Sequence, residues 1–367
     1  MHPLIEDSAD TLYDQVADDL RSRIAKRDFD PDGRIPNYRD LARDYRVSLA
    51  TIKKAMKILA DQRVVTSRVG RGSFAVLDAI PGVRRRPETD HIGLLIRDLD
   101  GPYFSGIYRG LSEGAAQHNK RLLVTLSVDE HEHESALYGM LSDQSEGVLV
   151  TSRRKSLYGV SIFDKLLKLR VPFVLLHDIY DSPTYCFDVN NYLGGRLAAR
   201  HLANRGITKF AAIMGETGYR VDDNRTQGFI DELKSNGVSI EQDCLILRCS
   251  FGSEATAFDE GYKVGLCLDL KGLGTQGVFL FNDLIAMGFQ KALLERGFSI
   301  PQDIAVIGFD NIDRCSEARV PLTTISVPRY DLGVQAFHKL MDLIHTNAPM
   351  IPERVLLDPT LIIRTSA

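Results

Sequence analysis

Two short segments near the amino terminus repeat their apolar positions at helical spacing. The first begins after Asn37, and its apolar face is formed by Leu41, Ala42 and Tyr45. The second covers residues 49–62, and Ser48 before it can accept hydrogen bonds from its first backbone N–H groups. Its apolar face repeats at i, i+3, i+4 and i+7 through Ile52, Ala55, Met56 and Leu59. Two helices joined by a tight turn predict a helix-turn-helix.

The polar face of the second helix carries groups suited to DNA. It holds short hydroxyls, one small apolar group and two cations, namely Ser48, Ala50, Thr51, Lys53 and Lys54. Hydroxyls and small apolar groups suit phosphates and thymine methyls, while lysines neutralise phosphates and can reach guanine. A solvated basic helix in a bundle is the alternative. Strands predicted at 64–68 and 73–76, joined by Val69-Gly70-Arg71-Gly72, form a hairpin wing with Arg71 at its tip, which favours DNA binding.

Together these segments resemble the winged-helix domain of GntR-type bacterial transcription factors over residues 12–77. The resemblance rests on LYDQVADDLRSRI, IPNYRDLARDY, VSLATIKKAMKIL and GRGSF. It implies DNA contacts at Arg39, Ser48, Thr51, Lys53, Gly70 and Arg71, and the predicted reading face and wing add Ala50, Lys54 and Arg68. The family usually has arginine after the serine that opens the second helix. This chain has Leu49 there, which shifts base readout toward Arg39, Lys53, Lys54 and Arg71.

The charge of the chain is distributed unevenly. The net charge is −4, but residues 34–86 hold 13 Lys/Arg against 4 Asp/Glu, a local net of +9. Residues 1–33 hold 4 against 9, and residues 87–367 hold 28 against 36. Basic charge is therefore confined to the predicted reading surface, as expected for a nucleic-acid partner.

From His91 onward, apolar strand-like runs alternate with amphipathic helical stretches, the signature of a parallel sheet with crossover helices. Strands are predicted at 91–96, 121–126, 147–150, 171–177, 209–214, 244–249, 277–281 and 304–308. Helices are predicted at 104–119, 133–142, 162–169, 193–205, 225–236, 255–268 and 283–296. The order gives two doubly wound α/β halves, preceded by an α+β winged helix-turn-helix domain at 1–78 and a Pro/Gly/Arg-containing linker at 79–90.

Open α/β sheets bind small molecules outside the carboxyl ends of their strands, so a cleft between the halves is the predicted ligand site. Candidate side chains there are Asp98, Tyr103, Phe104, Ser152, Arg153, Arg154, His177, Asp178, Asn190, Arg225, Asp283 and Asp310. A carboxylate, an arginine and aromatic rings suit a sugar, and purines or other small polar ligands fit too. Taken singly, Asp283 could instead cap a helix and Arg225 could be an ordinary surface residue.

Ordered motifs over residues 91–367 resemble the effector-binding domain of LacI-type repressors. They are GPYFSGIYRG, VNNYLGGRLAARHLANRGITKFAAI, FNDLIAMG, DIAVIGFDNID and PLTTISVP, with Asn224-Arg225 spaced before Gly228-Phe229. The resemblance implies a periplasmic-binding-protein-like fold with subdomains of about 91–187 plus 312–326 and 188–311 plus 327–367. It implies effector contacts at Asp98, Tyr103, Phe104, Arg153, Asn190, Arg225, Asp283 and Ser326. Asn190 stands where an aspartate is commoner.

A GntR-like reader on a LacI-like sensor is the architecture of arabinose-repressor-type regulators. It implies a repressor of carbohydrate-utilisation genes that binds a pseudo-palindromic operator in double-stranded DNA as a homodimer and is released by a sugar. Closure would rotate the halves about 187–190, 309–312 and 325–328, and residues 106–119 would join the dimer interface. Two alternatives are a sugar-binding protein without a regulatory role and a repressor that senses a non-sugar such as a nucleobase.

Other function classes lack their motifs. There is no GxGxxG after a strand, no GxSxG elbow and no P-loop, so neither an enzyme nor a cofactor is expected. Residues 131–134, His-Glu-His-Glu, point in different directions and favour a solvated loop over a metal site. Five scattered cysteines without CxxC indicate reduced thiols. Residues 1–10 lack an apolar signal region and no run approaches ~18 apolar residues, so a cytoplasmic location without a membrane partner is expected.

Overall fold

The computed structural model of the 367-residue chain describes residues 12–25, 34–61, 65–68, 72–75, 89–96, 99, 101–126, 136, 139–140, 145–151, 163, 166–167, 169, 171–177, 184–250, 254–346, 351 and 353–367. The chain divides into two compact units. The first comprises Met1–Thr89 with the short segment Lys168–Val171, and the second comprises Asp90–Leu167 with Pro172–Ala367. Most of the predicted linker, residues 79–88, lies outside the described residues. Every described helix is too short or too polar to cross a membrane.

The first unit is a helix-turn-helix followed by a hairpin. Its elements are α1 (Leu12–Ala25), α2 (Tyr38–Tyr45), α3 (Leu49–Asp61), β1 (Val65–Arg68) and β2 (Gly72–Ala75). The apolar faces of the three helices meet in one core that contains Val16, Leu20, Ile24, Leu41, Ile52, Ala55, Met56 and Leu59. The two strands pair antiparallel, with Val65 opposite Ala75. The predicted helix-turn-helix and wing strands are therefore present.

Local hydrogen bonds set the start of each reader helix. The Asn37 side chain caps α2 by accepting from the N–H groups of Arg39 and Asp40, each at 3.0 Å. Arg46 ends α2 in the left-handed conformation, with φ at 55°. As predicted, the Ser48 hydroxyl then accepts from the N–H of Thr51 at 3.1 Å, at the start of α3.

The second unit contains two six-stranded sheets, and each belongs to one half of the unit. The first sheet has the order β13-β7-β6-β5-β3-β4, with every described pair parallel. Its strands are β3 (His91–Ile96), β4 (Arg121–Leu126), β5 (Val148–Thr151), β6 (Phe173–Leu176), β7 (Tyr185–Val189) and β13 (Glu353–Leu357). Helices α4 (Pro102–Gln117) and α11 (Arg329–Thr346) pack against each other and against this sheet.

The second sheet repeats the arrangement of the first. Its order is β14-β12-β11-β10-β8-β9, and among the described residues of this sheet β12 and β14 are the one antiparallel pair. Its strands are β8 (Phe210–Met214), β9 (Cys244–Arg248), β10 (Gly277–Leu280), β11 (Ala305–Asp310), β12 (Thr323–Ser326) and β14 (Thr360–Ile362). The helices of this half are α5 (Asn191–Asn204), α6 (Arg220–Ser235), α7 (Ile240–Asp243), α8 (Glu254–Cys267), α9 (Asp283–Glu295) and α10 (Arg314–Glu317).

The chain crosses between the halves at 189–191, 326–329 and 357–360, which corrects the partition predicted from sequence. Strand β12, predicted to lie in the first half, pairs with β11 of the second, whereas α11 and β13 belong to the first. Residues 309–312 therefore do not cross between halves, and the third crossing lies at 357–360. Periodicity identifies an element but not the sheet it joins, because pairing is decided by partners distant in sequence.

Candidate ligand cleft and DNA-reading surface

In both sheets the strand order reverses at one point, and a ligand crevice is expected there. In each sheet the first strand of the half lies between the second and third, so the strand order reverses beside β3 in one sheet and beside β8 in the other. Such a switch point opens a crevice at the carboxyl ends of the strands. Tyr103 lies just beyond β3, Arg225 lies in the helix after β8, and Asp283 begins the helix after β10. The topology therefore places predicted site residues at these crevices.

Arg225 is held firmly in the second half. Only 4% of it is exposed, and its Nε donates to Asn191 Oδ1 at 2.9 Å while Nη1 donates to the carbonyl of Phe281. Its Cζ lies 3.6 Å from the centroid of the Phe309 ring. Bonding and stacking fix the plane of the guanidinium, and a fixed plane allows directional bonds to a ligand.

Asp310 lies beside this arginine. Its Oδ1 is 3.7 Å from Arg225 Nη2, and Asp310 itself is 7% exposed. Asp310 and Asn311 both have positive φ, at 109° and 53°, a conformation that costs free energy outside glycine. Asn311 uses its side chain to donate to Ser326 Oγ at 3.1 Å. The loop after β11 is thus shaped to bring a carboxylate to the guanidinium.

The first half contributes a cluster of three rings at its own carboxyl edge. The ring centroids of Tyr103 and Phe104 lie 5.3 Å apart, and each is within 5.7 Å of the His177 ring. Burial raises the pKa of Tyr103 well above its usual value, and the negative charges of Asp188 and Asp310 raise it further. Since Asp310 belongs to the second half, Tyr103 lies where the two halves meet.

Arg329 connects the halves directly. Its Nη1 donates to the Pro102 carbonyl of the first half at 2.9 Å, and its Nη2 donates to the Asn311 carbonyl of the second at 3.0 Å. Pro102 and Asn311 are the sequence neighbours of Tyr103 and Asp310. Separation of the halves at this edge would break one of these bonds.

Three of the predicted effector residues have their polar atoms engaged within the protein. Asn190 caps α5 by accepting from Leu193 N–H and donates to Asp358 Oδ1 at 2.9 Å. Asp283 is fully buried and accepts from Ile312 N–H and from the Thr324 hydroxyl. Asn282, rather than Asp283, caps α9. Ser326 accepts from Asn311, as described above.

The reading surface of the first unit is exposed as the sequence predicts. Arg39, Ser48, Ala50, Lys53 and Lys54 are exposed, and Thr51 is half-buried. The ammonium of Lys54 lies 3.7 Å from the centroid of the Tyr13 ring on α1, which orients it toward its own domain. Leu49 is 40% exposed on the same helix. Lys53 is thus the exposed lysine best placed on this face for a phosphate or base.

Several predicted residues cannot be placed. Gly70, Arg71, Asp98 and Arg153 lie outside the described residues, as does the side chain of Arg68. Their roles remain predictions from sequence.

Comparison with known proteins identifies one domain within each unit. Residues 12–75 match the gntR family of bacterial regulatory proteins, and residues 199–367 match a periplasmic binding protein-like domain. The chain joins a gntR-family domain to a periplasmic-binding-protein-like domain.

Two curated relatives and one solved structure match this chain over almost all of their own length. The arabinose metabolism transcriptional repressor of Geobacillus stearothermophilus is 24% identical over 364 residues, which cover 96% of this chain and 97% of the relative. The ribose operon repressor of Escherichia coli (strain K12) is 28% identical over 339 residues, covering 90% and 99%. A crystal structure of a LacI family transcriptional regulator from Enterococcus faecium with bound ribose has a TM-score of 0.66 and 26% identity, covering 75% of this chain and 98% of that one.

In the periplasmic-binding-protein-like domain, Arg225 is held by residues that were not predicted as site residues from the sequence. Asn191, Phe281 and Phe309 hold Arg225, although each looks like an ordinary strand or cap residue in the sequence. Their position at strand ends was a usable signal, because residues there border the crevice. What they contact is a tertiary property that the sequence pattern does not contain.

Proposed function

We propose that this protein is a sugar-responsive transcription repressor. The gntR-family domain binds a pseudo-palindromic operator in double-stranded DNA as a homodimer, and a sugar in the cleft weakens that binding. The observation that carries the proposal is the buried, ring-stacked Arg225 beside Asp310, next to Tyr103 of the opposite half. Charged groups make directional bonds to hydroxyls, and aromatic rings cover the apolar face of a sugar.

The relatives support a sugar effector. Two are named for arabinose metabolism and the ribose operon, and one similar solved structure contains ribose. In our proposal Arg225, Asp310, Tyr103 and Phe104 contact the sugar, with Asp98 and Arg153 as further contacts. Asn190, Asp283 and Ser326 hold the loops that carry those contacts.

The test measures operator affinity with and without sugar. An operator duplex is selected from a random-sequence pool with the full chain, and its Kd is measured by fluorescence anisotropy with L-arabinose, D-ribose, D-xylose, D-glucose, cellobiose, adenine or guanine. We expect one sugar to weaken binding by roughly 5–150-fold, the usual range of coupling between two sites. Arg225→Ala should keep DNA affinity but lose the sugar response, whereas the exposed Arg319→Ala should keep both.

Three results would contradict the proposal. A sugar that binds without changing operator affinity would remove the regulatory link, and a response to adenine or guanine alone would favour the nucleobase sensor. A monomer bound to DNA in sedimentation would exclude the dimer.

A substitution on the DNA-reading surface tests the contact with phosphates. Lys53→Ala should lower the slope of log Kd against log salt concentration by about 0.9, because one phosphate contact is lost. Lys263→Ala, which changes an exposed lysine of the second unit, should leave the slope unchanged.

A further inference from the structure

His177 occupies an unusual position at the end of β6. Its backbone has a φ of 79°, a left-handed conformation that is uncommon outside glycine, although asparagine, aspartate and histidine adopt it more often than other residues. Its N–H donates to the Phe187 carbonyl at 2.9 Å, which ties it to β7. Only 9% of the residue is exposed. The backbone bond and the burial hold the imidazole in a fixed orientation.

The neighbours of the imidazole determine which ring nitrogen carries the proton. Nδ1 lies 3.5 Å from Tyr103 Oη and 3.5 Å from Asp188 Oδ1. Asp188 is 1% exposed, and its two carboxylate oxygens accept hydrogen bonds from the N–H of Val189 and the side-chain amide of Asn191. A proton on Nδ1 therefore gives the favourable contact with Asp188. In that neutral tautomer Nε2 is an acceptor.

The remaining nitrogen, Nε2, is buried and has no hydrogen-bond partner among the described residues. A buried polar atom without a partner is costly, and such an atom in a native protein calls for an explanation. Here the ring lies against Tyr103 and Phe104, the two aromatic residues of the first half at the cleft. A partner for Nε2 would therefore have to come from the cleft.

We propose that His177 is a specificity-determining residue whose Nε2 accepts a hydrogen bond from one hydroxyl group of the bound sugar. The inference rests on the proposed function, because it requires a polyhydroxylated effector in the cleft. The edge of the imidazole accepts a hydrogen bond from one hydroxyl group, while the Tyr103 and Phe104 rings border the site. A sugar that lacks that hydroxyl leaves Nε2 buried and unpaired, and the protein discriminates against it.

Two substitutions of His177 separate the acceptor from the packing of the ring. His177→Asn tolerates the left-handed backbone and can occupy the Nδ1 position, but its side chain is too short to reach the Nε2 position. His177→Gln extends an amide to about that position. His338→Asn, on the exposed face of α11, is the matched control. Circular dichroism checks that each variant is folded.

Isothermal titration calorimetry then uses the five sugars named above and every monodeoxy derivative of the one that binds most tightly. For the wild type we expect the loss of one particular hydroxyl to weaken binding about 10-fold, the value of one hydrogen bond to a buried group. His177→Asn should bind the parent sugar about 10-fold more weakly and no longer distinguish that monodeoxy derivative. His177→Gln should stay within about 3-fold of the wild type, and His338→Asn should be unchanged.

The outcomes separate this inference from the proposed function. If His177→Asn keeps the wild-type preference among the deoxy derivatives, the inference is wrong, even if the sugar still releases DNA. If the preference depends on His177 but the sugar leaves operator affinity unchanged, the inference stands and the repressor proposal fails. If none of the five sugars binds the wild type, both are wrong.

Discussion

Two buried carboxylates of the same half, Asp283 and Asp310, have different surroundings. Asp283 opens α9, and both of its oxygens accept hydrogen bonds from the segment 312–324. Asp310 has a positive φ and lies 3.7 Å from the Arg225 guanidinium. Asp283 therefore holds the loop in place, whereas Asp310 pairs with the Arg225 guanidinium. In the sequence both residues simply follow an apolar run, so their roles could not be separated there.

Asp283 gives stability a specific pH dependence. Burial raises the pKa of its carboxyl from 3.8 to about 6, although the bonds from Thr324 and Ile312 oppose the rise. The folded state therefore favours the protonated form. The contribution of the Asp283 carboxyl to the free energy of unfolding is fully present below pH 3.8. It is lost as the pH rises through 6, and it changes little above that pH.

The expected difference is measurable by denaturant unfolding at a series of pH values. Relative to Asp283→Asn, the free energy of unfolding of the wild type should fall by about 3 kcal/mol between pH 4 and pH 7. The same comparison with the exposed Asp313→Asn should show no such step. Parallel pH curves for the wild type and Asp283→Asn would rule out a raised pKa at this site.

Among the helices, close packing of α5 on α6 positions Arg225. A Cβ added at Gly195 would lie 2.1 Å from the Arg225 carbonyl oxygen, and one at Gly228 would lie 2.0 Å from that of Tyr192. Both distances are far below van der Waals contact, so the two backbones touch only because these residues are glycine. The motifs around these glycines carried the family resemblance, and the structure supplies their physical reason.

Gly195→Ala should therefore disturb both stability and the site. We expect the free energy of unfolding to fall by roughly 1–3 kcal/mol, the usual cost of overpacking, and sugar affinity to fall with it as Arg225 moves. Chemical denaturation and calorimetry measure the two effects. Gly139→Ala is the control, because a Cβ there meets open space. Unchanged stability in Gly195→Ala would mean that the helices can separate without cost.

Most elements could be predicted from the sequence, because their apolar periods are strong. The predicted strand 91–96 and the predicted helix 283–296 differ from the observed His91–Ile96 and Asp283–Glu295 by at most one residue. Strands β7, β12, β13 and β14 and helix α11 were not predicted, and all five border crossings between the halves. Their membership depends on pairing between distant segments, which a local pattern does not encode.

At the scale of the whole molecule, three crossings form the mechanical link between the halves of the second unit. Asn190 joins two of them, because its N–H donates to the Leu357 carbonyl at 2.8 Å and its side chain donates to Asp358. Arg329, at the remaining crossing, contacts both halves near the cleft. A ligand that contacts Arg225 of the second half and Tyr103 of the first would therefore move the halves about the few hydrogen bonds that Asn190 and Arg329 make at the crossings. This arrangement suits a two-state rotation better than a gradual deformation.

If such a rotation links sugar to DNA, the linkage must be reciprocal. Whatever factor the sugar applies to operator affinity, the operator must apply to sugar affinity, since both factors report one coupling free energy of about 1–3 kcal/mol. Calorimetric titration of the sugar into the free protein and into its operator complex should therefore give Kd values whose ratio equals the sugar-induced change in operator Kd. A non-operator duplex that leaves the protein unbound serves as the control. Equal sugar affinities for the free protein and its complex, alongside sugar-driven release of DNA, would show that release arises from something other than the cleft, such as a sugar bound on the reading surface itself.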